Sequence, residues 1–314
     1  MDGQVNREDA AVTYRYVRVG LVALVVFLLV SLGLTWEHSC LQHSISAFFY
    51  TRTHGVFIAA LCAVGTCLIV YRGSSRGEQN RHTEDALLNF AGFLAFVVAL
   101  IPTDGAEVCE PWLPTVKEPF DATANNMVAL FVATAAGIAL YRVVQHRRTG
   151  KTEPSAPAAM NLTGMDRMWK VVATAVLKVE PWLPKLLYGL IVVGGLALFC
   201  PAVRDHAHGV AAAAMFLAIT LVAVYHACYA KGTQCQRRAR IYGLIAGTML
   251  TAVLLAIVLF LTGFSQGIFY VEVALIVLFG TFWGIQTWDV WTLEDRYPEN
   301  AIPALADAAT GRSS

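Results

Sequence analysis

Charge is what this sequence has least of. Asp, Glu, Lys and Arg make up 14% of its 314 residues, against about 25% in an ordinary soluble domain. That shortage excludes a conventional water-soluble fold. The few charges nearly cancel, leaving a formal net charge of +1, so no global field draws the chain to nucleic acid. An H-E-x-x-H pattern, which would place two zinc ligands on one helix face, is missing. A lipid-attachment pattern is missing at Cys40, which follows Glu37-His38-Ser39. Arg15 and Arg18 precede the first apolar run without a small-residue cleavage site after it, so that run is read as an anchor.

What is present is apolar length. Hydrophobic residues make up 57% of the chain and mean hydropathy is +0.56. Uncharged runs long enough to cross a bilayer recur throughout. They predict an all-α, polytopic transmembrane helical bundle of about eight spans, near 19–36, 54–71, 86–103, 125–141, 186–203, 208–228, 241–262 and 268–288. With the N-terminus inside, the inner segments hold 20 Lys and Arg residues and the outer loops hold 3, namely Arg52, Lys117 and Arg204. The positive-inside rule therefore predicts an N-in/C-in protein of the cell membrane with both termini cytoplasmic.

The organisation expected along the chain is a first four-helix membrane half at 1–148 and a flexible cytoplasmic linker at 149–159. An amphipathic segment at 160–184 follows, then a second four-helix half at 185–290 and a cytoplasmic tail at 291–314. In the amphipathic segment Met165, Met168, Trp169, Val172 and Val176 fall at helical spacing, which suits either the inner leaflet or a helix docked on the bundle. The pentapeptide EPWLP occurs at 110–114 and 180–184, where its Trp suits a membrane interface and its prolines end helices.

Polar chemistry concentrates outside. The outer segments carry Glu37, Asp104, Glu107, Glu110, Glu118, Asp121 and Asp205 together with His38, His43, His54, His206 and His208. Histidine and carboxylate are ligands for a divalent metal such as zinc and also serve as acid and base in hydrolysis. Asp205, His206 and His208 are the metal candidates, although two residues on a helix separate the histidines onto different faces. Glu272 is the one Asp, Glu, Lys or Arg inside the eight expected spans, which makes it a functional candidate by its cost alone. Outer loops favour oxidised thiols, so Cys40 and Cys109 are the candidate disulfide. The segment CLQHSISAFFYTRTHGVF, 40–57, is expected to cap the bundle from outside, with Phe48, Phe49 and Tyr50 in the interfacial belt. Topology would bring His43, Ser46, His54, Asp104, His208 and Glu272 together at the outer mouth.

SISAFFYTRTHGVFIAALCAVGTCLIVYRG, TEDALLNFAGFLAFVVALIPT and FYVEVALIVLFGTFWGIQTW together resemble a family of bacterial multi-pass membrane proteins of uncharacterised function. The match covers about residues 44–103 and the last helix, with Glu272 and Trp283 at corresponding places. Many family members carry Arg-Asp where this chain has His54-Gly55. The resemblance implies architecture and localisation and brings no reaction. The membrane hydrolases that include alkaline ceramidases use Ser and His four apart and a His pair four apart. Here Ser46 is followed by Tyr50 and Ser44 by Phe48, so that motif fails.

Three readings follow. In the first, an outward-facing polar pocket binds a lipid or small ligand, or the protein serves as an envelope-complex component. The second is a membrane-embedded, metal-dependent hydrolase or transferase at the outer leaflet. The third is a transporter, which the scarcity of intramembrane charge disfavours. The partners expected are the lipid bilayer and that ligand, without nucleic acid; oligomeric state is not encoded legibly. The basic asymmetry makes one firm prediction. In a background freed of native cysteines, Thr115→Cys should react with an impermeant thiol reagent on intact cells and Ser155→Cys should not. Labelling of position 155 from outside would reverse the topology.

Overall fold

The computed structural model describes residues 2–38, 41–71, 78–101, 103, 167–179, 181–232, 236–264 and 267–290. Among them the regular structure is all helical: α1 (Asp2–His38), a 3-10 turn (Ser46–Tyr50), α2 (His54–Val70), α3 (Glu78–Leu100), α4 (Arg167–Val179), α5 (Leu183–Ala197), α6 (Pro201–Gly232), α7 (Gln236–Leu261) and α8 (Ile268–Val290). Five helices, α1, α3, α6, α7 and α8, are long and apolar enough to cross a membrane. The apolar helices α2 and α5 are shorter, at 17 and 15 residues. Helices therefore occupy seven of the expected spans. The fourth, 125–141, lies outside the described residues, as do the linker 149–159 and the tail from 291.

Helix is what such a sequence must form where water is scarce, because each backbone group then finds its partner within its own segment. The hydroxyls follow the same economy. Thr66, Thr220, Thr248, Thr251, Thr281 and Thr287 each donate to the carbonyl four residues back. Thr248 and Thr251 thus satisfy themselves on the exposed side of α7 and line no polar route. Apolar side chains face outward along the same helices, including Phe27 and Val30 on α1, Leu190 and Val193 on α5, and Leu254 and Phe260 on α7. A surface of that kind suits lipid and not water.

Six helices close into a ring: α1 packs on α2, α2 on α3, α3 on α6, α6 on α7, α7 on α8, and α8 back on α1. Outside the ring α5 lies against α3 and α4 against α6. The amphipathic helix α4 touches the bundle through α6. Ala173 is fully buried with Cys228 of α6, flanked by Trp169 and Val172, while Met168 of the expected stripe is exposed. At the second EPWLP copy, Trp182 is exposed and Pro184 sits in the first turn of α5, where a missing N–H costs nothing.

The tightest joint is α2 against α3. A Cβ on Gly65 would lie 2.7 Å from the Gly92 carbonyl, and one on Gly92 would lie 2.6 Å from the Gly65 carbonyl. Backbone meets backbone there, so only glycine fits on either side. At Gly194, by contrast, a Cβ would meet open space. Gly65→Ala and Gly92→Ala should each lower stability by about 1–3 kcal/mol through overpacking, whereas Gly194→Ala should be near neutral. Thermal denaturation in one detergent checks this; equal midpoints for all three would refute the joint.

Candidate functional site

After α1, the described residues that lead into α2 turn inward. Gln42, Ser44, Ile45, Ser46, Ala47, Phe48, Phe49, Thr51 and Thr53 are all buried, and Phe48 is 0% exposed. This corrects the expected interfacial belt: Phe48 and Phe49 fill the interior. Phe48 packs with Phe269 of α8, and Phe49 meets His54 and Phe57 of α2 edge-on. The physical reason lies in hydrogen bonding. Irregular backbone is tolerated at this depth only if its polar groups are answered by protein, and here the segment's own polar residues answer them.

Ser44 Oγ accepts from the Ala47 N–H at 3.1 Å and Thr51 Oγ1 donates to the Phe48 carbonyl at 2.8 Å, bracketing the 3-10 turn. Phe269 at the start of α8 donates its N–H to the His43 carbonyl at 3.0 Å. Glu272, one turn further along α8, accepts from the Ile45 N–H at 2.6 Å through Oε2. Tyr50 donates to the Thr103 carbonyl at 2.8 Å beyond α3. Thr53 is joined to Thr35 of α1 at 2.8 Å. The turn is thus tied to α1, α3 and α8 by short bonds.

Ser46 opens the turn. Its Oγ lies 2.6 Å from His208 Nε2, and His208 Nδ1 lies 2.6 Å from the Ile101 carbonyl at the end of α3. A carbonyl only accepts, so Nδ1 carries a proton; in the neutral imidazole Nε2 is then the acceptor and Ser46 the donor. Both residues are buried at 6% exposure. Serine hydroxyl, imidazole and a third group that fixes the imidazole form the arrangement of an activated nucleophile.

Ser46 and Glu272 also line one end of a cleft of about 70 Å³. Its walls repeat at helical spacing: Leu24, Val25 and Leu28 of α1; Phe57, Ala60, Leu61 and Val64 of α2; Ala212, Met215, Phe216 and Ile219 of α6; Ile276 and Phe279 of α8. The lining runs seven residues along each of α2, α6 and α8, which is about 10 Å of depth at 1.5 Å per residue. Apart from Ser46 and Glu272 the lining side chains are apolar. The cleft is a greasy slot with one polar end.

The sequence candidates therefore separate. Ser46 and His208 are bonded, and Glu272 joins them through Ile45 and the shared cleft. His43 contributes its carbonyl to α8. His54 Nδ1 lies 2.5 Å from the Phe49 carbonyl and the ring stacks edge-on with Phe49, away from the cleft lining. Asp104, Cys40 and Cys109 lie outside the described residues, as does the side chain of Asp205. His206 is exposed on a different face of α6 from buried His208. Among the described residues, no cluster of three or more His, Cys, Asp or Glu residues is arranged to hold a metal.

A second polar centre was missed in the sequence. His226 Nε2 of α6 lies 2.9 Å from Glu84 Oε1 of α3, both 1% exposed. Around them Tyr242 and Phe282 pack on the imidazole. Nearby, buried Arg18 donates to Tyr71 at 2.7 Å, and Tyr71 meets Trp283 edge-on. Glu272 is therefore not the one acid within the spans. Starting the third span at residue 86 cut Glu84 away, although it stands in the TEDALLNFAG stretch; a paired carboxylate is admitted deeper than hydropathy alone allows.

No protein-family model, curated protein or solved structure matches the chain.

The bond between Ile45 and Glu272 carries a measurable load. Glu272→Ala should leave a buried N–H unanswered and cost about 1–3 kcal/mol. Glu272→Gln, whose amide oxygen still accepts, should recover most of that in thermal denaturation. If alanine and glutamine variants melt together at the wild-type midpoint, the carboxylate does not hold the turn.

Proposed function

We propose that this is a multi-pass cell-membrane protein that takes the acyl chain of an amphiphile into the cleft, with the polar end of that molecule at Ser46 and Glu272. The carrying observation is the slot itself, apolar over about 10 Å and polar at one end only. Apolar walls with few placed polar groups are the usual make-up of a ligand site. A purely hydrophobic guest would leave Ser46 and Glu272 facing hydrocarbon, and a purely polar one would strand fifteen apolar side chains.

The topology belongs to the same reading. With about eight spans and both termini cytoplasmic, the Ser46 end lies at the outer leaflet, so the guest enters from outside. The basic asymmetry of 20 to 3 supports that orientation. It also sets the bundle's polar end level with lipid headgroups, where an amphiphile already has the matching orientation.

A monoacylglycerol with a diazirine in its acyl chain, photolysed with the full chain in nanodiscs, tests this. Crosslinks should fall within 57–64 and 212–219, and Ala212→Phe, which fills the slot, should cut them about tenfold, or roughly 1.4 kcal/mol. Crosslinks confined to outward residues such as Leu254 and Phe260, unchanged by Ala212→Phe, would mean that the cleft takes no chain.

A further inference from the structure

Ser46 does more in this geometry than mark the polar end of the slot. We propose that Ser46 and His208 are a nucleophile and its base, and that the protein hydrolyses acyl esters whose chain lies in the cleft; this rests on the chain-binding reading above.

Three observations carry it beyond a helix tether. The hydroxyl belongs to a residue that lines the cleft, at the end where a chain would stop. The imidazole is held in the one tautomer that can take the serine proton, because Nδ1 is committed to the Ile101 carbonyl at 2.6 Å. The turn that presents Ser46 is fixed on both flanks, by Glu272 on Ile45 and by Ser44 on Ala47. A nucleophile held by rigid neighbours keeps its attack geometry. A tether would need only the first hydrogen bond.

The chemistry balances without a further reagent. Ser46 Oγ attacks the ester carbonyl carbon as its proton passes to His208 Nε2. The C–O bond to the alcohol then breaks, and the alkoxide leaves with that proton, giving acyl-Ser46 and a free alcohol. Water next attacks the acyl carbon, its proton passing to Nε2 and then to Ser46 Oγ as the carboxylic acid departs. The water would come from this end, where Arg52 and His206 are exposed. Glu272 flanks the same end and offers the alcohol portion a polar contact.

The experiment uses p-nitrophenyl laurate and the full chain in nanodiscs, with acid-quenched digestion and peptide mass measurement. Wild type should release p-nitrophenol in a burst and carry a laurate on Ser46. Ser46→Ala should carry none, and His208→Gln should form the adduct at least about 100-fold more slowly, the usual share of a positioned base. Ala212→Phe should lose the adduct with the cleft. The adduct is read on wild type, so a poorly folded variant does not decide the matter. Diazirine crosslinking of the same preparation separates the failures. Intact cleft crosslinks with an unmodified Ser46 would overturn the hydrolase and leave chain binding standing, whereas loss of both would overturn both.

Discussion

A carboxylate one turn inside a membrane helix has to be answered, and in this bundle a backbone N–H answers it. Glu272 accepts from Ile45 at 2.6 Å, and almost everything around the cleft hangs on that bond. It draws an irregular, hydroxyl-rich segment into the interior, where unanswered peptide groups would otherwise cost several kcal/mol each. In return the segment supplies the donor that lets an acid stay at that depth. Neither element is stable there without the other: α8 would bury a lone acid, and the turn would bury a lone N–H.

From that mutual need the site geometry follows. The turn fills the end of the ring with Phe48 and Phe49 and leaves Ser46 pointing at α6, where His208 meets it. The glycine contact between Gly65 and Gly92 sets the spacing of α2 and α3. That joint lies beside Val64 of the cleft wall, and α3 also carries the Ile101 carbonyl that fixes His208. Small residues such as Ala60 and Ala212 line the slot together with Leu24 and Leu61. A bundle of larger residues at those two positions would close it.

How much of this was legible in the sequence depends on which signal each part leaves. Helices show through hydropathy because lipid forces every segment to the same solution, so seven expected spans coincide with helices. Glu272, Ser46 and His208 were legible as candidates because topology alone puts them at one end. The turn's burial was not. Its serines, threonines and histidines read as water-facing, and only the pairing of Ser44 with Ala47 or Thr51 with Phe48 shows that they serve the backbone. The cleft was invisible for another reason: a void is made by what five helices and the turn fail to fill together, and no single stretch records it. Glu84 was lost because its partner, His226, stands 142 positions away.

The two polar centres settle how the interior is divided. On α6, His208 and His226 are separated by eighteen residues, about 27 Å along the axis, close to the roughly 30 Å of a hydrocarbon core. The two centres therefore stand about one hydrocarbon thickness apart. Between them α6 presents Met215, Phe216, Ile219, Val222 and Ala223 to the core, and buried Thr220 gives its hydroxyl to its own helix. An ion or proton moving from one centre to the other would have to cross that apolar stretch without a described group to receive it. Charge at such a depth is costly even when side chains can reach toward water. The geometry consequently favours chemistry or binding confined to one end. Glu84 and His226 then act as the anchor of the opposite end, joining α3 to α6 where Ile101 and His208 join them at the first.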